Sequence, residues 1–212
     1  MKFEGIIFDL DGTIIDSYPV TIDAFIKVLK KWGKRDFTPD EIYLLLGPSE
    51  KKIFSDFVRK DDLEKCFNEY LKMFMDRLDE INLYDGFPDT IIEIKRRNKK
   101  IGIFTGRGRE LSLFLIKEKG LAEHIDSLVS SEDLKNPKPS PEGVLKLCKE
   151  LQISPSNVLH VGDSFLDITS GRLAGVVTGG ALWGTMSKKK LMEANPDYLF
   201  NTPFEILNIL TN

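Results

Sequence analysis

The sequence is poor in the residues that most often mark a compartment or a metal. Among 212 residues there are two cysteines, two histidines and two tryptophans. Cys66 and Cys148 stand far apart at core-like positions of helical segments, with no other metal-ligating residue beside them. That excludes a disulfide framework and a zinc-type cluster, and fits reduced thiols in a cytoplasmic protein. No apolar run approaches the ~20 residues needed to span a bilayer. Neither sign of charge dominates: 30 Lys+Arg against 33 Asp+Glu give a formal net charge of -3, with the basic residues dispersed. Neither a nucleic-acid footprint nor a membrane-surface patch is expected from that balance. Met1-Lys2-Phe3-Glu4 runs directly into an apolar strand, so no signal peptide is expected. Internal repeats and low-complexity tracts are absent too. What remains is a chain that is 42% hydrophobic, enough for one core domain carrying at most a small second one.

The most informative segment is Phe8-Asp9-Leu10-Asp11-Gly12-Thr13. Gly5 to Phe8 reads as a strand buried on both faces. Asp9 and Asp11 leave its end one residue apart and can converge on one small site. Carboxylates that close repel unless a cation or a shared proton offsets them, and Mg²⁺ suits a few hard oxygen ligands plus a phosphate. A capping Asp beside a turn Asp is the plainer reading of this segment taken alone.

Residues 18–80 read as all-helical. Val20, Ala24, Phe25, Val28, Leu29 and Trp32 form one apolar stripe, and Leu63, Phe67, Tyr70, Leu71, Phe74 and Leu78 another. Between them Thr38-Pro39-Asp40-Glu41 has the form of a capping box with proline at the first helical position. From Tyr84 onward, strands alternate with helices. Strands are expected at Ile101 to Phe104, Ile125 to Val129, Val158 to Val161, Val176-Val177 and Asp197 to Phe200, and a last helix after Thr202-Pro203-Phe204-Glu205. The expected fold is α/β, a Rossmann-like, doubly wound, mostly parallel sheet with a small all-helical domain inserted. Its core would comprise residues 1–16 and 82–212, and the insertion residues 17–81.

In such a sheet ligands bind beyond the carboxyl ends of the strands. Polar residues gather there: Asp9 and Asp11, Thr105-Gly106-Arg107-Gly108, Ser130-Ser131, and Gly162-Asp163-Ser164. Thr105 could donate its hydroxyl, and Gly106 its backbone N–H, to a phosphate oxygen above a helix N-terminus. Lys138 lies between Pro137 and Pro139, which stiffen the loop, and could reach inward to neutralise phosphate and carboxylate charge. Asp163 could ligate a metal directly, with Asp167, four residues on, orienting a water or the lysine. Helix capping alone would explain each junction separately; two of them carrying aspartates beside glycine-rich backbone is harder to explain that way.

These four segments, Phe8-Asp9-Leu10-Asp11-Gly12-Thr13, Thr105-Gly106-Arg107, Lys138 in Pro137-Lys138-Pro139, and Gly162-Asp163-Ser164-x-x-Asp167, resemble in order the four motifs of the haloacid dehalogenase superfamily. The helical insertion is similar to that superfamily's C1-type cap, and the chain looks most like its phosphoglycolate phosphatase and pyrophosphatase-like branch. The resemblance implies a phosphatase acting on small phosphorylated molecules, in which Asp9 is the nucleophile and Asp11 the general acid and base. It implies Mg²⁺ held by Asp9, the Asp11 backbone carbonyl and Asp163, with Ser164 and Asp167 behind them. Thr105, Gly106, Arg107 and Lys138 would bind the phosphoryl group or its neighbour. A dehalogenase of this fold lacks the second acid, so Asp11 argues for phosphate chemistry. A phosphomutase resembling β-phosphoglucomutase would carry a histidine where this chain reads Ser17-Tyr18-Pro19-Val20-Thr21, and a cap arginine where it reads Gly47-Pro48-Ser49-Glu50. A receiver-type signalling domain shares the Mg²⁺, Asp, Thr and Lys but has neither the insertion nor an acid two residues after the phosphorylated Asp. A catalytically silent phosphate-binding module is a further alternative, although every chemical position is filled. Lys51 and Lys52 could meet a second anionic group of the substrate, or simply form a solvated helix face.

Overall fold

A computed structural model describes residues 3–210. Its first strand, β1 (Gly5–Phe8), is completely buried, as an uninterrupted Gly-Ile-Ile-Phe run requires. Ile6 and Phe8 point to one face of the sheet and Ile7 to the other, following the two-residue period of a strand. Four further strands and an edge complete the sheet: β4 (Lys100–Thr105), β5 (Ser127–Ser130), β6 (Val158–Gly162), β7 (Val177–Ala181) and β8 (Tyr198–Phe200). Their order is β5-β4-β1-β6-β7-β8, and every neighbouring pair is parallel.

Helices cover both faces. Ile91 and Ile94 of α5 (Phe87–Arg96) and Leu115 of α6 (Arg109–Glu118) pack with Ile6 and Phe8. Val144, Leu147 and Leu151 of α7 (Glu142–Leu151) pack with Ile7 and Phe104 on the opposite side. The chain moves outward from β1 through β4 to β5, then returns to the other side of β1 at β6. The strand order thus reverses beside β1, where a crevice opens at the carboxyl ends. Register pairs Phe8 with Ile103 and with Val161, so Asp9, Thr105 and Asp163 all emerge at that edge.

Between a two-stranded antiparallel stem, β2 (Ile15–Asp16) and β3 (Asn82–Leu83), every regular element is helical. These are α1 (Tyr18–Trp32), α2 (Pro39–Leu45), α3 (Glu50–Ser55) and α4 (Leu63–Met75), with short 3-10 turns. The capping box at Thr38 forms as its sequence directs: Glu41 N–H donates to the Thr38 hydroxyl at 3.3 Å, and Thr38 N–H to Glu41 at 2.8 Å. Phe25 of α1 stacks on Phe54 of α3 at 4.7 Å, and Tyr70 of α4 closes the group at 4.9 Å from Phe25. These rings belong to the same continuous core as Ile6 and Phe8 of the sheet. Among the described residues no helix is long and apolar enough to cross a membrane.

Besides the β2–β3 stem, which no sequence pattern announced, three elements depart from expectation. Helix α3 is an addition: Ile53 and Phe54 are too few for a periodic stripe, yet they anchor its single turn and a half in the aromatic cluster. Strand β7 runs past Val177 through Gly179 and Gly180, because side chains of Phe200 and Leu199 press against the backbone there. The segment after Thr202 is a 3-10 helix, Pro203–Asn208; Glu205 reaches back to the N–H of Asn201 at 2.8 Å, so Thr202 caps nothing.

The shared aromatic core yields a stability prediction. Phe54→Ala removes a ring that is wholly buried. Loss of that ring should cost about 3–5 kcal/mol, read as a lower midpoint in urea denaturation. A cost below about 1 kcal/mol would mean the helical segment is packed far more loosely than this.

Candidate active site

The site is built around one lysine. Lys138 Nζ donates to Asp9 Oδ1 at 2.8 Å, to Asp167 Oδ1 at 2.6 Å and to the Phe104 carbonyl at 2.8 Å. All three ammonium protons are therefore assigned, and the group also sits 4.6 Å from the Phe104 ring centroid. Asp167 is fixed from the other side by a capping box at the start of α8 (Phe165–Ala174). The Ser164 hydroxyl donates to Asp167 Oδ2 at 2.5 Å and accepts from Asp167 N–H.

Asp163 stands behind this pair, wholly buried. It accepts from the Tyr18 hydroxyl at 3.0 Å and from the Thr13 hydroxyl at 3.3 Å. Gly12 makes room for it: φ is +77°, and a Cβ there would come within 2.6 Å of Asp163 Oδ2. Asp9, Asp163 and Asp167 can each present an oxygen within 4.8 Å of the others. Burial pushes the Asp9 carboxyl up to about 7 against the pull of Lys138. Burial, with the charges of Asp167 and Asp9, raises Asp163 well above the ordinary carboxylate range. For Asp167 burial acts in the same sense and is the largest single influence, but Lys138, His160 and the Ser164 hydroxyl together hold the group below its usual value. Three crowded carboxylates facing one ammonium form an electron-rich oxygen cage, the donor set that a hard divalent cation such as Mg²⁺ takes. The residues fit that ion.

Asp11 turns away from this cage. Its carboxylate accepts from Arg107 Nη2 at 2.8 Å and Nε at 3.1 Å, and from the Ser17 hydroxyl. Arg107 is 5% exposed and lies 4.6 Å from the ring centroid of Phe74. It also bonds Thr21 at 3.0 Å, Tyr70 at 3.2 Å and Glu50 at 3.0 Å, all on the helical segment. Thr105, at the end of β4, is wholly buried, and its hydroxyl accepts from Arg107 N–H at 3.1 Å. Gly106 is pressed against the helical segment: a Cβ there would lie 2.3 Å from the Gly47 carbonyl oxygen. A cavity of about 160 Å³ lies between, lined by Asp9, Asp11, Glu50, Gly106, Arg107 and Lys138 among others.

The structure therefore brings Asp9, Asp11, Thr105, Gly106, Arg107, Lys138, Asp163, Ser164 and Asp167 to one strand edge. It does not bring Lys51 or Lys52 there; these pair on the surface with Glu64 and Asp56. His160 is buried in β6, where its Nδ1 meets the Ile7 carbonyl at 3.1 Å, and burial lowers its pKa to about 4. Five polar residues of the helical segment escaped sequence reasoning: Ser17, Tyr18, Thr21, Glu50 and Tyr70. Tyr70 was hidden in an apolar stripe, and Glu50 sits on the short helix that periodicity could not reveal. Ser49 ahead of Glu50-Lys51-Lys52-Ile53-Phe54 was the one usable sign, a helix start before two apolar residues.

Comparison with known proteins agrees with this geometry. Residues 6–181 match the model of the haloacid dehalogenase-like hydrolases, and the chain belongs to that family. A pyrophosphatase, PpaX, of Bacillus cereus (strain B4264) is 30% identical over 213 residues, covering 100% of this chain and 98% of that protein. A solved structure from Haemophilus somnus, described as a predicted phosphoglycolate phosphatase, superposes with a TM-score of 0.87 at 20% identity over 100% of this chain and 99% of that one. A Thermotoga maritima protein provisionally described as a β-phosphoglucomutase superposes with a TM-score of 0.76 at 25% identity, covering 98% of each chain.

The dependence of the carboxylate cage on its lysine can be measured. Lys138→Met keeps the chain length but leaves Asp9 and Asp167 without their shared buried counter-ion. In metal-free buffer it should lower stability by about 3–5 kcal/mol in chemical denaturation. A variant as stable as the parent would show that Lys138 does not offset those charges.

Proposed function

We propose that the protein is a Mg²⁺-dependent phosphatase that hydrolyses small phosphate monoesters through an aspartyl-phosphate at Asp9. The observation that carries this reading is the Lys138 bridge between Asp9 and Asp167, with Asp11 held separately at the mouth of the same cavity. Two acids in different surroundings can take different parts in one reaction.

Asp9 faces the cavity with one carboxylate oxygen fixed by Lys138, and the resemblance of its motif makes it the nucleophile. Its oxygen attacks phosphorus, a new O–P bond forms, and the bond to the leaving oxygen breaks. Asp11 delivers a proton to that oxygen, then takes one from the water that attacks the aspartyl-phosphate, releasing phosphate and restoring Asp9. Arg107 and Ser17 hold the Asp11 carboxylate in place for both transfers. Thr105 and the Gly106 N–H are the donors suited to the equatorial oxygens of the transferring group, and the Lys138 ammonium stabilises their charge from where it bridges Asp9 and Asp167. Mg²⁺, held by Asp9, the Asp11 carbonyl and Asp163, would neutralise phosphoryl charge. The helical segment acts as a cap, and the contact of Gly47 with Gly106 would exclude water while the ester is bound. Polar residues on the cap and a cavity of this size favour small substrates. The relatives' names put pyrophosphate and phosphoglycolate on the panel of compounds to try, beside esters of neutral alcohols. The β-phosphoglucomutase-like reading is weaker, since Ser17-Tyr18-Pro19-Val20-Thr21 offers no histidine to the site.

Phosphate release from a panel of small esters tests the proposal. Turnover should require Mg²⁺ and fall by at least about a thousandfold in Asp9→Asn, the scale on which loss of a nucleophile registers. Absence of release from any ester by folded protein in Mg²⁺ would refute it. Gly106→Ala offers an independent check on closure. Its methyl would meet the Gly47 carbonyl, so kcat should drop, with the melting temperature less affected, because the cap could no longer seat. Unchanged kcat would show that this contact is not part of the working state.

A further inference from the structure

The guanidinium of Arg107 has no donor left for a substrate. It offers five N–H groups. Nε meets Asp11; Nη1 meets Glu50 and Tyr70; Nη2 meets Asp11 and Thr21. Arg107 and Lys138 are the two cations lining the cavity, and Lys138 is equally committed. On the cap side, Glu50 is 6% exposed and its second oxygen accepts from the Gly108 N–H at 2.9 Å. Glu50 is thus seated on the core loop from the cap, and it occupies the one cation that a second anionic group of a substrate would seek.

We propose that Glu50 is a specificity-determining residue, a charge filter that disfavours esters whose leaving group carries its own anion and leaves the site to esters of neutral alcohols. This rests on the reading of the site as a phosphomonoesterase and narrows its substrate class. A carboxylate or second phosphate entering the cavity would meet the Glu50 carboxylate in a confined space and would have to displace it from Arg107. Like charges brought together without water are strongly unfavourable, and building such repulsion against one class of ligand is a direct route to selectivity. A hydroxyl-bearing leaving group has no such conflict. It can exchange hydrogen bonds with Thr21, Tyr43 or Glu50 beside the apolar surface of Phe25 and Ile53.

Two esters of equal length separate charge from shape: phosphoglycolate, whose leaving group carries a carboxylate, and ethylene glycol monophosphate, in which a hydroxyl stands in place of that carboxylate. Dissociation constants for both are measured by calorimetry in Mg²⁺ on an Asp9→Asn background, with and without Glu50→Gln. The glycol ester should bind more tightly to the parent, and Glu50→Gln should shift the ratio of the two constants by about tenfold toward phosphoglycolate. Glu50→Asp keeps the charge and should keep the parental ratio; Glu50→Ala serves as the uncharged variant if the glutamine form does not fold. A purely structural role for Glu50 would weaken both esters together and leave the ratio alone. An unchanged ratio in the uncharged variant, or a parent that prefers phosphoglycolate, would overturn the filter. Binding is read without turnover, so failure of the hydrolase reading, seen as no phosphate release by the unsubstituted protein, stays distinct from failure of the filter.

Discussion

The arrangement depends on a single buried ammonium. Lys138 holds Asp9 at the end of β1 and Asp167 in the first turn of α8, two segments far apart in sequence, and it draws Asp9 to one side of the crevice. Without it, three carboxylates would share a desolvated space, a state whose Coulomb cost no local packing could offset. Even with it, burial keeps the affinity of Asp9 and Asp163 for protons high. The site is therefore an incomplete electrostatic set: positive charge is still wanted, and the oxygen donors are already aimed inward. Stability is given up locally to preorganise the oxygens around the place where a phosphoryl group and a divalent cation would sit.

A second buried cation ties the helical segment to that arrangement. Arg107 leaves β4 immediately after Thr105 and Gly106, crosses into the aromatic core of the helical segment and meets Thr21, Glu50, Tyr70 and Phe74 there. The same side chain fixes Asp11. Position of the helical segment and orientation of Asp11 are thereby coupled through one guanidinium. The helical segment and Asp11 are therefore not independent parts that happen to adjoin.

Most of the fold was legible because it rests on patterns of short range. The buried run Gly5 to Phe8, the stripe of α1 and the capping box at Thr38 each announce themselves within a few residues. The strand-end aspartates were legible for the same reason, since parallel strands bring their carboxyl ends to one edge whatever lies between. Illegible were the features fixed by contacts across long separations. Tyr18 bonds Asp163, and Arg107 bonds Glu50 on a helix of six residues that has almost no periodicity to detect. β7 hid behind Gly179 and Gly180, whose lack of side chains suits Phe200 and Leu199 but reads locally as a turn. The capping-box pattern at Thr202 misled because Glu205 found Asn201 instead. Local chemistry predicted the elements; partner choice needed the fold.

Asp9 and Asp163, with Asp167 behind them, form a donor set suited to a divalent cation and not to a proton shared among carboxylates. Calorimetric titration of the protein with Mg²⁺, without substrate, tests this most directly. One ion should bind per chain, with binding abolished in Asp163→Asn while the protein remains folded. Absence of Mg²⁺ binding at millimolar concentrations, or undiminished binding in Asp163→Asn, would contradict that role.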